Sequence, residues 1–252
     1  MERGGQERGT TTHFGFREVG IEDKPGLVRE VFDRVADRYD LMNDLMSGGV
    51  HRVWKATLID QLCPRPDMHL LDVAGGTGDI ALRYLAGGGG KVTVCDLNQR
   101  MIEVGRDRAL DRGLVGDIEW VTGDAEALPL PDGAVDAYTC AFGLRNVTHL
   151  EAALAEARRV LRPGGRFLVL EFSRVAQPAL KTLYDRYSFT VLPALGGAIA
   201  GDAQAYRYLA ESIRKFPPQD AFMRMIEEAG LTRVGYRNLS CGIAAIHAAW
   251  RV

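Results

Sequence analysis

The chain has 252 residues, a formal net charge of -2, 46% hydrophobic residues and 25% charged residues. These values are typical of a globular protein and exclude collagen-like and disordered chains. A net charge near zero argues against binding nucleic acid through bulk electrostatics. Because no C-x-x-C pair occurs, a zinc ribbon is excluded and a reducing compartment is favoured. The four cysteines are far apart, at Cys63, Cys95, Cys140 and Cys241.

The first part of the chain predicts a tail followed by helices. Residues 1–20 are polar and rich in glycine, without the apolar region of a secretory signal, so we expect a flexible tail. From Leu27 the apolar residues recur at three- and four-residue steps, which predicts a helix. Residues 51–62 predict another helix, which Pro64 ends. We expect residues 21–66 to form a helical lead-in or lid.

Strands and helices then alternate, which predicts an α/β fold with a doubly wound, mostly parallel sheet. Expected strands cover 70–74, 91–96, 118–122, 134–141 and 166–172, and expected helices cover 78–85, 98–112 and 150–161. After this core (67–173) we expect a helical insert (174–230). Strands at 232–238 and 242–249 then predict a closing antiparallel hairpin within 231–252. We expect residues 21–252, with these seven strands, to form one domain.

A glycine-rich turn follows the first strand of this core, in the string D-V-A-G-G-T-G-D (72–79). Gly76 and Gly78 allow a ligand to approach the backbone, and Thr77 lies between them. Asp96 ends the next strand, where a carboxylate can accept both ribose hydroxyls of an adenosine. The string also satisfies a dinucleotide fingerprint. A nicotinamide cofactor and a turn without ligand are therefore open alternatives.

Three further residues favour one adenosine cofactor. Asp72 lies inside the strand, where its carboxylate repels a pyrophosphate but suits a sulfonium or ammonium ion. Asp124 can accept from an adenine amino group, and the Ala125 N–H can donate to a ring nitrogen. An adenosine that carries a cationic amino-acid sulfonium is S-adenosyl-L-methionine. The sequence gives no reason to expect a metal.

These motifs, in this order and with L-R-P-G-G (161–165), resemble the class I methyltransferases over residues 70–173, although Ala74 replaces their first glycine. The flanking segments resemble the menaquinone and ubiquinone C-methyltransferases, whose activity is methyl transfer to a ring carbon of a polyprenylated quinol. That resemblance implies cofactor contacts at Thr77, Asp96, Asp124 and Ala125. Ala141, which stands where the family often has serine, is also expected at the cofactor, without the contact of a hydroxyl. The segments are V-F-D-R-V-A-D-R-Y-D-L-M-N-D-L-M-S-G-G-V-H-R-V-W-K (31–55), A-F-G-L-R-N-V-T (141–148), Y-S-F-T-V-L-P (187–193), A-Y-R-Y-L-A-E-S-I-R-K-F-P (205–217) and N-L-S-C-G-I-A-A-I-H-A-A-W (238–250).

Methylation of a ring carbon requires an activated ring. A phenol has a pKa of about 10, so the site must stabilise the phenolate or provide a base. We expect Arg145 to stabilise the anion and Asn146 to hold the same oxygen or a water. For the base, His51 is the first choice because histidine has a suitable pKa. The alternatives are His149, Asp40 and Tyr39.

The remaining expectations concern the substrate and its surroundings. We expect substrate contacts at Tyr39, Asn43, Tyr184 and Tyr206. The apolar run 191–200 is too short to span a membrane and is a candidate for access of the prenyl tail. Arg207, Arg214 and Lys215 are consistent with a solvated helix face and with a peripheral contact at the inner membrane face of a cytoplasmic protein. A homodimer, or membership of a quinone-synthesis complex, is also expected. The competing hypotheses are another small-molecule methyltransferase and a non-catalytic scaffold.

Overall fold

A computed structural model of the chain describes residues 10–35, 43–44, 47–114, 116–175, 184, 186–187, 190 and 203–252. The elements within these residues, in chain order, are β1 (Thr11–Phe14), β2 (Arg17–Gly20), α1 (Lys24–Val35), α2 (His51–Leu62), β3 (Leu70–Val73), α3 (Asp79–Ala86), β4 (Val92–Asp96), α4 (Gln99–Asp111), β5 (Ile118–Thr122), β6 (Val135–Ala141), a 3-10 helix (Leu144–Asn146), α5 (Leu150–Val160), β7 (Leu161–Phe172), α6 (Ala203–Lys215), α7 (Gln219–Glu228), β8 (Thr232–Leu239), a second 3-10 helix (Ser240–Gly242) and β9 (Ala244–Trp250).

Seven of the strands form one sheet in the order β5-β4-β3-β6-β7-β9-β8. The pairs from β5 to β7 are parallel, whereas β9 pairs antiparallel with both β7 and β8. The predicted fold class and its closing antiparallel hairpin are therefore confirmed. The strand order reverses at β3, so the loops after β3, β4 and β6 meet at one edge. In open α/β sheets, ligands bind at such a switch point.

The expected tail is wrong for residues 11–20, because β1 and β2 pair there as an antiparallel hairpin. The hairpin packs on α6, where the rings of Phe14 and Tyr208 stack with their centroids 4.1 Å apart. The backbone N–H of Phe16 also donates to the Glu211 carboxylate over 3.0 Å. These stabilising contacts join residues almost 200 positions apart, so the local composition of the segment gave no sign of them.

The pleat of β3 decides which side of the sheet its acidic side chain faces. Leu70 packs in the same core cluster as Leu58 of α2, whereas Leu71 packs in the cluster on the opposite face. Because successive side chains alternate between faces, Asp72 faces the side that α2 covers. Its partner in the neighbouring strand is Thr139, whose hydroxyl donates to the Asp72 carboxylate over 2.8 Å.

Helix α1 lies over the carboxyl edge of the sheet and is attached near both of its ends. The Lys24 ammonium donates to the backbone carbonyl of Val147 over 2.7 Å. Near the other end, the Asn98 side chain donates to Asp33 over 2.8 Å. Asn98 also caps α4 by accepting the Met101 N–H. In the part of the chain that the structure describes, no helix is long and apolar enough to cross a membrane.

Candidate active site

A cleft lies at the carboxyl edge of the sheet, between the strand ends and α1. The loops after β3, β4, β5 and β6 form its inner wall. Four predicted cofactor-binding residues and one predicted catalytic residue line it. They are Gly76, Asp96, Asp124, Ala125 and Asn146.

Asp96 is held in place by the backbone around it. Its two carboxylate oxygens each accept a backbone N–H over 2.8 Å, one from Gly76 and one from Asn98. Burial raises the pKa of Asp96 to about 6, although both N–H groups act in the opposite direction. Each carboxylate oxygen can accept more than one hydrogen bond. The residue therefore keeps acceptor capacity for a diol while its position is fixed.

The loop after β5 is tied to the loop after β6 beside the cleft. The Asp124 carboxylate accepts the Glu126 N–H over 2.9 Å, which shapes the turn that contains Ala125. The Glu126 carboxylate in turn accepts the backbone N–H groups of Thr148 and His149, over 2.6 and 2.9 Å. The His149 ring lies 2.7 Å from the same carboxylate. His149, one of the alternative bases, therefore contacts the Glu126 carboxylate on the side of the cleft where Asp124 lies.

The outer wall of the cleft comes from α1, through Pro25, Val28, Arg29 and Phe32. The sequence predicted this helix but not these lining residues. Their three- and four-residue spacing indicates an apolar helix face. That spacing does not say which surface the face covers, so the assignment needed the fold.

A smaller cavity lies beside the glycine turn and shares Ala74 with the main cleft. Three predicted cofactor-binding residues line it, Asp72, Thr77 and Ala141. Asp72 is fully buried, and its second carboxylate oxygen has no hydrogen-bond partner among the described residues. Burial raises the pKa of Asp72 to about 7, against the effect of the Thr139 hydroxyl. Gly78, also predicted, instead occupies the N-cap of α3.

The alanine at the first glycine position of the turn is accommodated by a glycine in the next loop. Ala74 has a φ of 50°, in the left-handed region that favours glycine. A Cβ built on Gly143 would clash with the Ala74 Cβ. Gly143 therefore supplies the space that the Ala74 side chain needs, and the turn keeps its shape.

The predicted catalytic pair lies on the 3-10 helix after β6. The buried Arg145 guanidinium donates to the Glu171 carboxylate over 2.7 Å. Asn146 lines the cleft, and its side-chain oxygen accepts the Tyr208 hydroxyl over 3.0 Å. Burial raises the pKa of Tyr208, so its hydroxyl keeps its proton and donates. The structure therefore joins α6 to the inner wall of the cleft.

The sequence analysis missed Glu171 and Tyr208. A single acid in the apolar strand R-F-L-V-L-E-F (166–172) was a usable signal, because a buried charge is normally paired. Tyr208 had no such signal, since it is one of several aromatic residues in its segment. Only the position of α6 distinguishes it from Tyr206.

The predicted base is buried outside the main cleft. The His51 ring lies 3.0 Å from the Ser47 hydroxyl and 3.6 Å from the Asp44 carboxylate. Burial lowers the pKa of His51 to about 4, and Lys55 acts in the same direction. The imidazole is therefore neutral at physiological pH. The alternatives Tyr39 and Asp40 lie outside the described residues.

The predicted substrate residues that the structure describes are buried in different surroundings. Asn43 is buried, and its side-chain amide has no hydrogen-bond partner among the described residues. Tyr184 is buried against the Arg214 guanidinium, which lies 5.5 Å from the ring centroid. Tyr206 is buried in the core cluster that contains α6. None of these three lines the described cleft, and the apolar run 191–200 lies outside the described residues.

Comparison with known proteins decides the family. Residues 19–251 match the model of the ubiE/COQ5 methyltransferase family. The chain belongs to this family. It is 60% identical to the ubiquinone/menaquinone biosynthesis C-methyltransferase UbiE of Paracoccus denitrificans, over 96% of this chain and 97% of that protein. The protein of the same name from Methylobacterium nodulans is also 60% identical, over 96% and 98%.

Solved structures show the same fold at low sequence identity. A SAM-dependent methyltransferase from Thermotoga maritima superposes with a TM-score of 0.65 at 19% identity, over 88% of this chain and 99% of that one. The family model and the curated relatives confirm the predicted family. With it, the prediction of an enzyme that uses S-adenosylmethionine as its methyl donor is confirmed too.

The two cavities of this ubiE/COQ5 methyltransferase fit that cofactor. The main cleft offers the Asp96 carboxylate for a ribose, next to Asp124 and Ala125. The smaller cavity offers the unpartnered oxygen of Asp72, which suits a cationic group. An adenosine that carries a cationic amino-acid chain needs these features, in adjoining cavities.

Proposed function

We propose that this ubiE/COQ5 methyltransferase methylates a ring carbon of a polyprenylated quinol in ubiquinone or menaquinone biosynthesis. The proposal is carried by the polar cluster of Arg145, Glu171, Asn146 and Tyr208, which reaches the wall of the cofactor cleft. The names of its relatives, which are 54–60% identical, support the same reaction.

In this proposal, the main cleft binds the adenosine part of the cofactor. Asp96 accepts the ribose hydroxyls, and Asp124 and Ala125 bind the adenine. The turn at Gly76 and Gly78 lets the cofactor approach the backbone closely. The amino-acid end extends past Thr77 and Ala141 to Asp72. The support for this placement is that these residues line two cavities that meet at Ala74.

When bound, the cofactor supplies an electrophilic methyl group on a sulfonium. The protein's own residues then have to orient the quinol and stabilise negative charge on its oxygen. Because the Tyr208 hydroxyl donates to the side-chain oxygen of Asn146, the Asn146 amide nitrogen is left to donate to the quinol oxygen. Arg145 adds positive charge behind Asn146, although Glu171 balances part of it.

The proton that the ring carbon releases needs an acceptor. We propose His51 for this step, because its imidazole is neutral and can accept a proton. Its low pKa makes it a weak base, so the step depends on a water or a movement that brings His51 to the ring. His51→Gln tests the role through the pH profile of kcat, which should lose its acidic limb.

A polyprenylated substrate partitions into lipid, so we also propose a peripheral membrane contact. The exposed Arg207 and Lys215 on α6 are suited to anionic head groups. Sedimentation with anionic vesicles tests this contact, and an Arg207→Glu/Lys215→Glu variant should bind them less.

The proposed reaction is tested by turnover. The purified protein, S-adenosylmethionine and a short-chain demethylated quinol are combined under reducing conditions, with a benzoquinol and a naphthoquinol in parallel. We expect S-adenosylhomocysteine and a ring-methylated product from at least one ring type. The oxidised quinone is the control and should not react, because its ring is not nucleophilic. Cofactor binding without turnover on either quinol would instead favour the non-catalytic scaffold.

A further inference from the structure

The smaller cavity beside the glycine turn contains a buried lysine for which the sequence analysis had no role. Lys55 lies on α2, and its side chain is only 5% exposed. It lines the cavity together with Asp72, Thr77 and Asp79. A buried lysine is rare unless it is paired, so its partners indicate its role.

Among the described residues, Lys55 pairs with the Asp79 carboxylate, which also binds a second cation. Its ammonium donates to one oxygen of the Asp79 carboxylate over 2.8 Å. The other oxygen of Asp79 accepts from Arg83 over 3.1 Å. Burial acts to raise the pKa of Asp79, but Lys55 and Arg83 outweigh it and the pKa is lowered. Asp79 is therefore ionised, and the group of three carries one net positive charge.

Asp72 lines the same cavity and presents a carboxylate oxygen that accepts no hydrogen bond among the described residues. The lining of the cavity thus includes both a hydrogen-bond acceptor and an ammonium group. An ammonium has three donors, and the ion pair with Asp79 accounts for one of them. This arrangement is complementary to a zwitterionic α-amino acid.

We propose that Lys55 binds the carboxylate at the amino-acid end of the cofactor, while Asp72 accepts from its ammonium group. The inference rests on the cofactor placement proposed above, and it adds the residue that distinguishes an intact amino-acid end from a truncated one. It does not depend on which ring is methylated.

A purely structural role for Lys55 would be to fasten α2 to α3 through Asp79. Arg83 provides the matched control, because it binds the same carboxylate but does not line the cavity. If pairing with Asp79 were all that mattered, removing either cation would have a similar effect on ligand binding.

The test is calorimetric titration with S-adenosylhomocysteine and with its decarboxylated analogue. The wild-type protein should bind the intact ligand at least tenfold more tightly than the analogue. Lys55→Met should lose at least tenfold for the intact ligand and bind the two ligands about equally. Arg83→Met should discriminate as the wild type does, and Lys55→Arg should keep part of the preference, because the positive charge remains.

Two results would overturn the role of Lys55. The first is equal binding of both ligands by the wild-type protein. The second is a Lys55→Met variant that prefers the intact ligand over its decarboxylated analogue as strongly as the wild type does. Titration with 5′-methylthioadenosine, which lacks the amino-acid end, shows that the adenosine site of each variant is intact. Failure of the proposed ring methylation would appear in turnover and not in these titrations, so the two proposals fail separately.

Discussion

The buried carboxylate of Asp72 lowers the stability of the ligand-free protein as the pH rises. Asp72→Asn keeps an oxygen that can accept the Thr139 hydroxyl and removes the carboxylate charge. We predict that the variant gains stability relative to the wild type as the pH rises, while its affinity for S-adenosylhomocysteine falls. The measurement is urea unfolding of both ligand-free proteins at about pH 5 and about pH 8.

The magnitude follows from the pKa of Asp72, which rises from 3.8 to about 7. A carboxyl with a raised pKa binds its proton more tightly in the folded state, so stability is lost as the pH rises from the unfolded pKa to the folded one. At about 1.4 kcal/mol per pKa unit, the full loss is about 4 kcal/mol. About 2 to 3 kcal/mol of it falls between pH 5 and pH 8. The unfolding free energy of Asp72→Asn relative to the wild type should increase by that amount.

The amide introduced by Asp72→Asn brings N–H donors without a partner, at a cost of about 1–3 kcal/mol. That cost does not depend on pH. The prediction therefore concerns how the difference in unfolding free energy between the variant and the wild type changes with pH, and not the size of that difference at one pH. Asp79→Asn is the control, because the pKa of Asp79 is lowered from its ordinary value of 3.8 and its contribution to stability is lost only as the pH falls below that value. Its difference from the wild type should therefore be the same at the two pH values. A constant difference between wild type and Asp72→Asn at the two pH values would refute the reasoning.

Three further predictions concern the cleft. Asp96→Ala should weaken S-adenosylhomocysteine binding more than tenfold in calorimetry, because the ribose hydroxyls lose their acceptor, whereas the exposed Asp107→Ala should leave affinity unchanged. Arg145→Ala should lower kcat far more than it lowers cofactor affinity. It should also reduce the free energy of unfolding by about 3–5 kcal/mol, because the buried carboxylate of Glu171 loses its partner. A kcat near that of the wild type would make Arg145 structural. Gly143→Ala should cost about 1–3 kcal/mol in urea unfolding through its clash with Ala74, and full stability in this variant would contradict the packing described.

Local sequence patterns predicted the secondary structure of the core well. The helix expected at 51–62 is α2, with the same bounds, and the strand expected at 118–122 is β5. The N-cap role of Asn98 was also predictable, because capping depends on residues within one turn. Apolar periodicity, caps and breakers act over a few residues, so they can be read directly from the chain.

Contacts between distant segments could not be predicted in this way. The hairpin of residues 11–20 depends on the stacking of Phe14 on Tyr208. Likewise, the sequence indicated Arg145 as a cation but did not show that Glu171 neutralises part of its charge. Each of these features changes what the site can do, and each depends on the packing of segments far apart in the chain.

Methyl transfer to carbon is the central claim, and the position of the transferred methyl group tests it most directly. The purified protein is incubated with S-adenosylmethionine carrying a ¹³C-methyl group and a short-chain demethylated quinol under reducing conditions, and the product is analysed by carbon NMR. We predict that the label appears as a methyl group bonded to a ring carbon, with loss of the proton from that carbon. Label in a methoxy group, with the ring proton retained, would contradict the claim.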